Sequence, residues 1–429
     1  MGLNRETIVS ALSRVRGRGF FSVFFGSVCS KFVAFLGSVL IVRILSKDAY
    51  GILGYMENLY GYIYVLAGYG LGNAVLRYIV LKDGMAEKKG VLDYALSHGT
   101  IFNIVLVLAG MSFAFLYPHS SEFSEAAWLL PIMLLALPFQ FVYDACQLTL
   151  RALLKNAAYA LCAVLCVVVS SILKVSGASL FGLDGAVFAF PLTFLIMGCM
   201  VALYVYSRYF KGVKAEKIPK EHVPEITSYS LQFMVTNGLW MLFAQNDILI
   251  LGMITGDALQ VADFKVALAL PAVLSLVSSS IGIVIGPYFI KREKDRVWVW
   301  ASYRKVLLMS TVFIGGVALV MGWFAPTLIG FVYGEQYEDV ADLMRLLLLA
   351  AFFNTAIRYT SANLLAAMGK VKYNLVIAVV GLVAQVILDI ALIASFGGVG
   401  AALSSILVFA FMGVATAICF VKLYRTKGL

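Results

Sequence analysis

Twelve stretches of this chain are both apolar enough and long enough to cross a lipid bilayer as helices. They run over residues 19–45, 50–79, 98–117, 127–153, 157–181, 184–208, 226–251, 261–290, 304–325, 340–367, 372–395 and 398–423. A spanning helix needs about 20 mostly apolar residues, because hydrocarbon offers the backbone no outside hydrogen-bond partner. Composition agrees: 62% of the residues are hydrophobic and 13% are charged, against about 25% charged in a soluble domain. So few charges cannot cover so many apolar side chains in water. The sequence therefore predicts an all-α polytopic membrane protein.

The loops test the span count. Those on one side are 1–18, 80–97, 154–156, 209–225, 291–303, 368–371 and 424–429; with the adjoining span ends they hold 25 of the 33 basic residues. The opposite loops hold Lys47 beside acids such as Glu122, Glu125, Asp257, Glu335 and Glu338. A missed or invented span would scramble this segregation. The positive-inside rule then predicts a multi-pass protein of the cytoplasmic membrane with both termini cytoplasmic. The net charge of +10 is assigned to these loops and to anionic lipid, not to nucleic acid. Residues 1–18 form a cytoplasmic N-terminal segment, with Leu3, Ile8, Leu12 and Val15 on one side of a short surface helix. Six cysteines all lie in apolar runs and the chain has three histidines, so neither a disulfide framework nor a metal site is expected.

The two halves repeat. "LLKNAAYALCAVLCVVVSSILKVSGASLFGLDGAVFA" from Leu153 aligns with "AMGKVKYNLVIAVVGLVAQVILDIALIASFGGVGAAL" from Ala367. Tyr159 meets Tyr373, Phe181-Gly182 meets Phe396-Gly397, and Gly185-Ala186 meets Gly400-Ala401, at offsets of 214 and 215. This divides the chain into an N-lobe of six spans (19–208), a cytoplasmic inter-lobe loop (209–225) and a C-lobe of six spans (226–424). An even number of spans per repeat makes the repeats parallel, a plan in which transporters usually hold substrate between the lobes.

Charges inside spans are the candidate functional groups. One at mid-membrane costs about 2.5–3.5 kcal/mol on insertion scales, and much less near a helix end, where a long side chain reaches the interface. Lys31 lies about twelve residues into the first span with apolar neighbours, too deep to reach either surface easily. At the repeat offset Lys174 aligns with Asp389, and Asp144 with Arg358, so each place is charged in both halves with opposite sign. Asp144 and Arg358 read either as a structural ion pair or as walls of a hydrated cavity between the lobes. Lys174 and Asp389 lie nearer outer ends, where interface anchoring competes with that reading. Lys265 and Arg77, also near span ends, read first as anchors. Span seven, "LQFMVTNGLWMLFAQNDILILG", is the most polar: Asn237 and Asp247 stand out, some of its polar groups must bond to neighbouring helices, and Asp247 is a candidate partner for Lys31. A path for cations alone would not need Lys31 and Arg358. Two or three cations in low dielectric would suit a lipid-borne pyrophosphate.

Several stretches carry a resemblance: "VRILSKDAYGILGYMENL" (Val42–Leu59), "YGLGNAVLRYIV" (Tyr69–Val80), "AQNDILILGMITG" (Ala244–Gly256), "GPYFIK" (Gly286–Lys291) and "LLAAMGKVKYN…ILDIALIASFGGVGAALSS" (Leu364–Ser405). Through these, over nearly its whole length, the chain resembles the polysaccharide flippases of the multidrug/oligosaccharidyl-lipid/polysaccharide (MOP) exporter superfamily, the O-antigen-type lipid-linked oligosaccharide translocases. The resemblance implies a twelve-helix, two-lobed MATE-like fold. It also implies transport of a polyprenyl-diphosphate-linked glycan by alternating access, not enzymatic catalysis. No resident cofactor is implied; a proton, a sodium ion or the membrane potential stays open as the driving force. Partners would be that glycan, membrane lipids, and the polymerase or glycosyltransferases of the same pathway, with the chain itself a monomer. Of the charged residues, Lys31 and then Arg358 match the basic positions that hold the diphosphate in that family. Ala394 stands where a proline is usual, which leaves the detail of span eleven open. A drug/cation antiporter of the same superfamily would instead rely on carboxylates such as Asp247 and Asp144. A major-facilitator transporter would need a Gly/Asp/Arg-rich loop after span two, where this chain has "LKDGMAEKKGV". A glycan polymerase or glycosyltransferase would need a larger outer loop than the chain has.

Overall fold

The computed structural model describes residues 20–116, 121–275, 285, 288–292 and 294–424. The expected surface helix at residues 1–18 lies outside them. The described residues are helical, with no strand among them.

The chain forms α1 (Phe20–Ile44), α2 (Lys47–Tyr64), α3 (Leu71–Leu81), α4 (Met85–Leu116), α5 (Ala126–Leu134), α6 (Ala136–Ala152) and α7 (Asn156–Tyr209). It continues through α8 (Val223–Thr255), α9 (Ala258–Ala272), α10 (Arg296–Trp323), α11 (Ala325–Tyr333), α12 (Ala341–Phe352), α13 (Thr360–Ala367) and α14 (Val371–Tyr424). Each expected span coincides with helix, the eighth as far as the described residues reach. The second is not straight: its two parts meet at 49°, where Gly68, Tyr69 and Gly70 take positive φ and the Gly68 N–H is satisfied by Asn103 Oδ1 at 2.7 Å.

Helices α7 and α14 each hold 54 residues. At 1.5 Å per residue each would run about 80 Å if straight, far beyond a hydrocarbon core of about 30 Å. Each is broken at one glycine, Gly182 (φ 61, ψ −137) and Gly397 (φ 55, ψ −132). Each is therefore a hairpin of two spans, consistent with twelve spans in all.

Two compact units divide the protein, residues 1–241 and 242–429. The division falls inside α8, whereas the repeat placed it at the loop 209–225. The beginning of α8 packs on the N-terminal unit: Tyr78 donates to Glu225 Oε1 at 3.1 Å, and Ile226 joins the core built on Leu71, Val75, Leu92, Phe141 and Val205. In the C-terminal unit, Tyr303 stacks on Phe420 with ring centroids 3.9 Å apart and shares a 2.9 Å hydrogen bond with Ser361. Large apolar side chains stand outward on both units, among them Phe32, Leu116, Leu203, Leu319 and Phe331. Such surfaces suit acyl chains rather than water.

Candidate functional sites in the two units

The first helix presents three faces. Gly26, Ser30, Val33, Gly37 and Ile41, at i, i+4, i+7, i+11 and i+15, are buried or half-buried, as are Phe35, Ser38, Val39 and Val42, and α7 comes close enough that a Cβ added at Gly26 or Gly37 would press on Ala160 or Ser171. Phe25, Val28, Phe32 and Leu36 form an exposed apolar face. Ser27, Lys31, Ala34 and Ser38 share a third (i, i+4, i+7, i+11), on which Lys31 is exposed. Lys31 borders the apolar face, with Val28 three residues before it and Phe35 four after.

Farther into the N-terminal unit, α2, α6 and α7 bring polar groups together. Glu57, Tyr60 and Tyr64 occupy one face of α2 (i, i+3, i+7) and Gln140 and Asp144 one face of α6 (i, i+4). Tyr60 donates to Gln140 Oε1 at 2.6 Å, and the Tyr64 hydroxyl donates to Asp144 Oδ2. Lys174 Nζ on α7 lies 2.8 Å from Glu57 Oε1 and 4.9 Å from the centre of the Phe190 ring. Phe190 in turn meets Tyr60 edge-on at 4.8 Å. Lys174 is therefore an ion-pair member in a half-buried network rather than a lone interface anchor. Arg77, at the end of α3, is exposed and lies over the Tyr229 ring at 4.9 Å.

In the C-terminal unit, the reversal at Gly397 lets two parts of α14 flank one carboxylate. Asp247 accepts from Gln385 Nε2 at 2.5 Å and from Ser405 Oγ at 2.6 Å. Asp389, one turn after Gln385, is fully buried and accepts from Asn246 Nδ2 at 2.7 Å. The Asp247 and Asp389 carboxyls are neighbours. Asp389 Oδ1, Gln385 Oε1 and Ser404 Oγ are buried beside them without a hydrogen-bond partner among the described residues. Two adjoining carboxyls, each already accepting one side-chain amide N–H, can share a proton or hold a small cation; both keep two like charges from standing side by side. No group of three or more His, Cys, Asp or Glu able to hold a metal occurs among the described residues. Burial excludes interface anchoring for Asp389.

Arg358 is 7% exposed. It sits in a π-helical turn, Phe353–Tyr359, a widening that often marks functional positions. Its Nη1 donates to Asn354 Oδ1 at 2.7 Å, and its guanidinium lies 5.2 Å from the Tyr359 ring centre and 5.9 Å from that of Phe409. Lys265 is half-buried on α9, and Asn237 is exposed on α8. The structure thus gathers Asp144 and Lys174 into one N-terminal network and Asp247 and Asp389 into one C-terminal cluster. Sequence reading missed the partners Tyr60, Tyr64, Gln140 and Ser405. The i, i+3, i+7 run of Glu57, Tyr60 and Tyr64 was the available signal for the first of these.

Comparison with known proteins agrees with this architecture. The chain is 23% identical to an uncharacterized membrane protein of Methanocaldococcus jannaschii over 406 residues, 87% of this chain and 78% of that one. Its fold is similar to that of the lipid II flippase MurJ in an inward closed conformation (TM-score 0.74, 16% identity, 94% and 87% of the two chains). It is also similar to an inward-facing multidrug resistance MATE family transporter of the MOP superfamily (TM-score 0.73, 16% identity, 93% and 96%). A family model described as polysaccharide biosynthesis protein matches residues 17–293. That match covers well over half of the sequence, and the chain belongs to the polysaccharide biosynthesis protein family.

Proposed function

We propose that the protein is a flippase that carries a polyprenyl-diphosphate-linked oligosaccharide across the cytoplasmic membrane by alternating access, with both termini in the cytoplasm, for assembly of a surface polysaccharide. Membership of the polysaccharide biosynthesis protein family and a MOP-type fold support transport of a glycan carrier. The observation that carries the reading is Lys31: a mid-span cation, exposed, in line with Ser27, Ala34 and Ser38 on α1. In plain hydrocarbon a lysine at that depth costs about 2.5–3.5 kcal/mol, a cost that an anion beside it offsets. Arg358, buried under two rings, is the second cation offered to a diphosphate.

The Asp247–Asp389 cluster is the proposed seat of the coupling ion, a proton or sodium. Those same carboxyls support a second reading, a drug/cation antiporter. Expression of Lys31→Ala and Arg358→Ala in the native host separates the two. The flippase reading expects loss of displayed glycan at normal membrane levels of protein. Normal display by both variants, or drug efflux lost only with Asp247→Asn, would overturn it.

A further inference from the structure

A groove of about 740 Å³ opens on the C-terminal unit, along α10 and α12. That volume lies within the range of small-molecule sites, roughly 300–1,000 Å³. Gly315, Ala318 and Gly322, at i, i+3 and i+7, strip bulky side chains from one face of α10, and Phe352 forms part of the facing wall. Trp323, 82% exposed, stands at one end. The lining is apolar except for Arg345.

Arg345 is fixed by two bonds: Nε donates to Gly322 O at 3.0 Å, and Nη1 to Asp342 Oδ1 at 2.5 Å. A guanidinium carries five N–H donors, so others remain beside the groove. Asp342 is 87% exposed and uses one oxygen here. Both residues lie in the first turns of α12, directly after the polar segment Glu335–Val340. Together with Trp323, this places them at headgroup depth, on the side away from the basic loops.

We propose that this groove binds one glycerophospholipid with a primary-amine headgroup. An acyl chain lies along Gly315, Ala318 and Gly322. The phosphodiester accepts from the remaining guanidinium N–H groups of Arg345, and the headgroup ammonium donates to the free oxygen of Asp342. The fit rests on charge. Arg345 and Asp342 form a fixed positive–negative couple, and a phosphoethanolamine headgroup is the matching negative–positive couple. An anionic glycerol headgroup would satisfy Arg345 and leave its second end without a positive partner for Asp342. A choline headgroup has no N–H to give that carboxylate.

The test is native mass spectrometry of the full-length protein, delipidated in detergent and offered phosphatidylethanolamine, phosphatidylglycerol or phosphatidylcholine of one acyl composition. The ethanolamine lipid is expected to be retained about tenfold more than the other two, the scale of one added charge-assisted hydrogen bond. Arg345→Ala removes that excess, and so does the surface change Asp342→Asn. Ala318→Phe, which fills the groove, lowers retention of all three lipids. Arg345→Lys keeps charge and stem and serves if the alanine variant is poorly folded; it too is expected to weaken retention. Equal retention of the three lipids by the unmodified protein would overturn the proposal. So would undiminished ethanolamine-lipid retention by both Arg345 variants, or displacement of that lipid by a polyprenyl phosphate at equal concentration.

Discussion

Gly182 and Gly397 hold equivalent places in the two 54-residue helices, 215 residues apart, with backbone angles that agree within a few degrees (φ 61, ψ −137 and φ 55, ψ −132). Their surroundings differ. A Cβ on Gly182 would meet nothing within 4 Å, whereas one on Gly397 would stand 2.2 Å from Gln260 Oε1. Gln260 cannot swing aside freely: its Nε2 donates to Asp257 Oδ2 at 3.0 Å, and its Oε1 accepts from Gly398 N at 3.2 Å. Gly182→Ala is therefore expected to cost about 1–3 kcal/mol of backbone strain, and Gly397→Ala clearly more. Thermal unfolding of the detergent-solubilised protein reads the order. Gln260→Ala should recover part of the Gly397→Ala loss and none of the Gly182→Ala loss.

The Glu57–Lys174 pair is half-buried, at 29% and 19% side-chain exposure. Removing one partner leaves the other charge in a poor solvent, a penalty between that of an exposed pair and that of a fully buried one, about 1–3 kcal/mol. Glu57→Gln and Lys174→Met should each lower the melting temperature, and the double variant should lose less than the two losses added together. Strictly additive losses would mean that the pair contributes little.

The repeat was legible in sequence because its markers are glycines and aromatics near helix ends and reversals: Tyr159 and Tyr373 near the start, Gly182 and Gly397 at the break, and Tyr209 and Tyr424 at the close of the paired helices. The charges were legible as positions but not as partnerships. Lys174 and Asp389 align with opposite signs, yet Lys174 bonds to Glu57, 117 residues away, and Asp389 to Asn246, 143 residues away. No local period encodes contacts of that range. The π turn around Arg358 was likewise invisible, since "FFNTAIRYT" holds no glycine or proline to mark it. The 49° bend after α2 had a signal in "AGYGLG", which the hydropathy of the span concealed.

If the Asp247–Asp389 cluster holds a cation, that ion stabilises the folded protein by mass action. The gain is about 2.7 kcal/mol at a concentration 100 times the dissociation constant. Sodium, titrated against choline at constant ionic strength, should raise the melting temperature of the unmodified protein. In Asp389→Asn the shift should vanish, because only one carboxylate is left to offset the ion's desolvation. A shift that survives in both Asp389→Asn and Asp247→Asn would remove sodium from this cluster. If sodium has no effect, a proton is the ion left for this cluster; lowering the pH should then stabilise the unmodified protein more than it stabilises Asp389→Asn.

The segment after α7 is strapped to the N-terminal unit by two hydrogen bonds, a close backbone approach at Gly90 and Ile218 packed against the core. Glu216 N donates to Ala86 O at 3.0 Å, and Lys89 Nζ donates to Val213 O at 2.9 Å. A Cβ added to Gly90 would fall 1.8 Å from Glu216 O. No rotamer relieves a clash between two backbones, so either α4 or the strap must move. The strap is loop and α4 a helix of 32 residues, so the strap gives way. Its three lysines, Lys211, Lys214 and Lys217, lie on exposed or half-buried loop. Gly90→Ala should therefore free the strap while leaving the helices in place. The expected result is tryptic cleavage within residues 211–218 that is at least several-fold faster, with a melting temperature close to that of the unmodified protein, because local opening need not involve the global transition. Lys89→Met, which removes one of the two hydrogen bonds without a clash, should produce a smaller increase. Unchanged cleavage in both variants would show that the strap is held by contacts other than these.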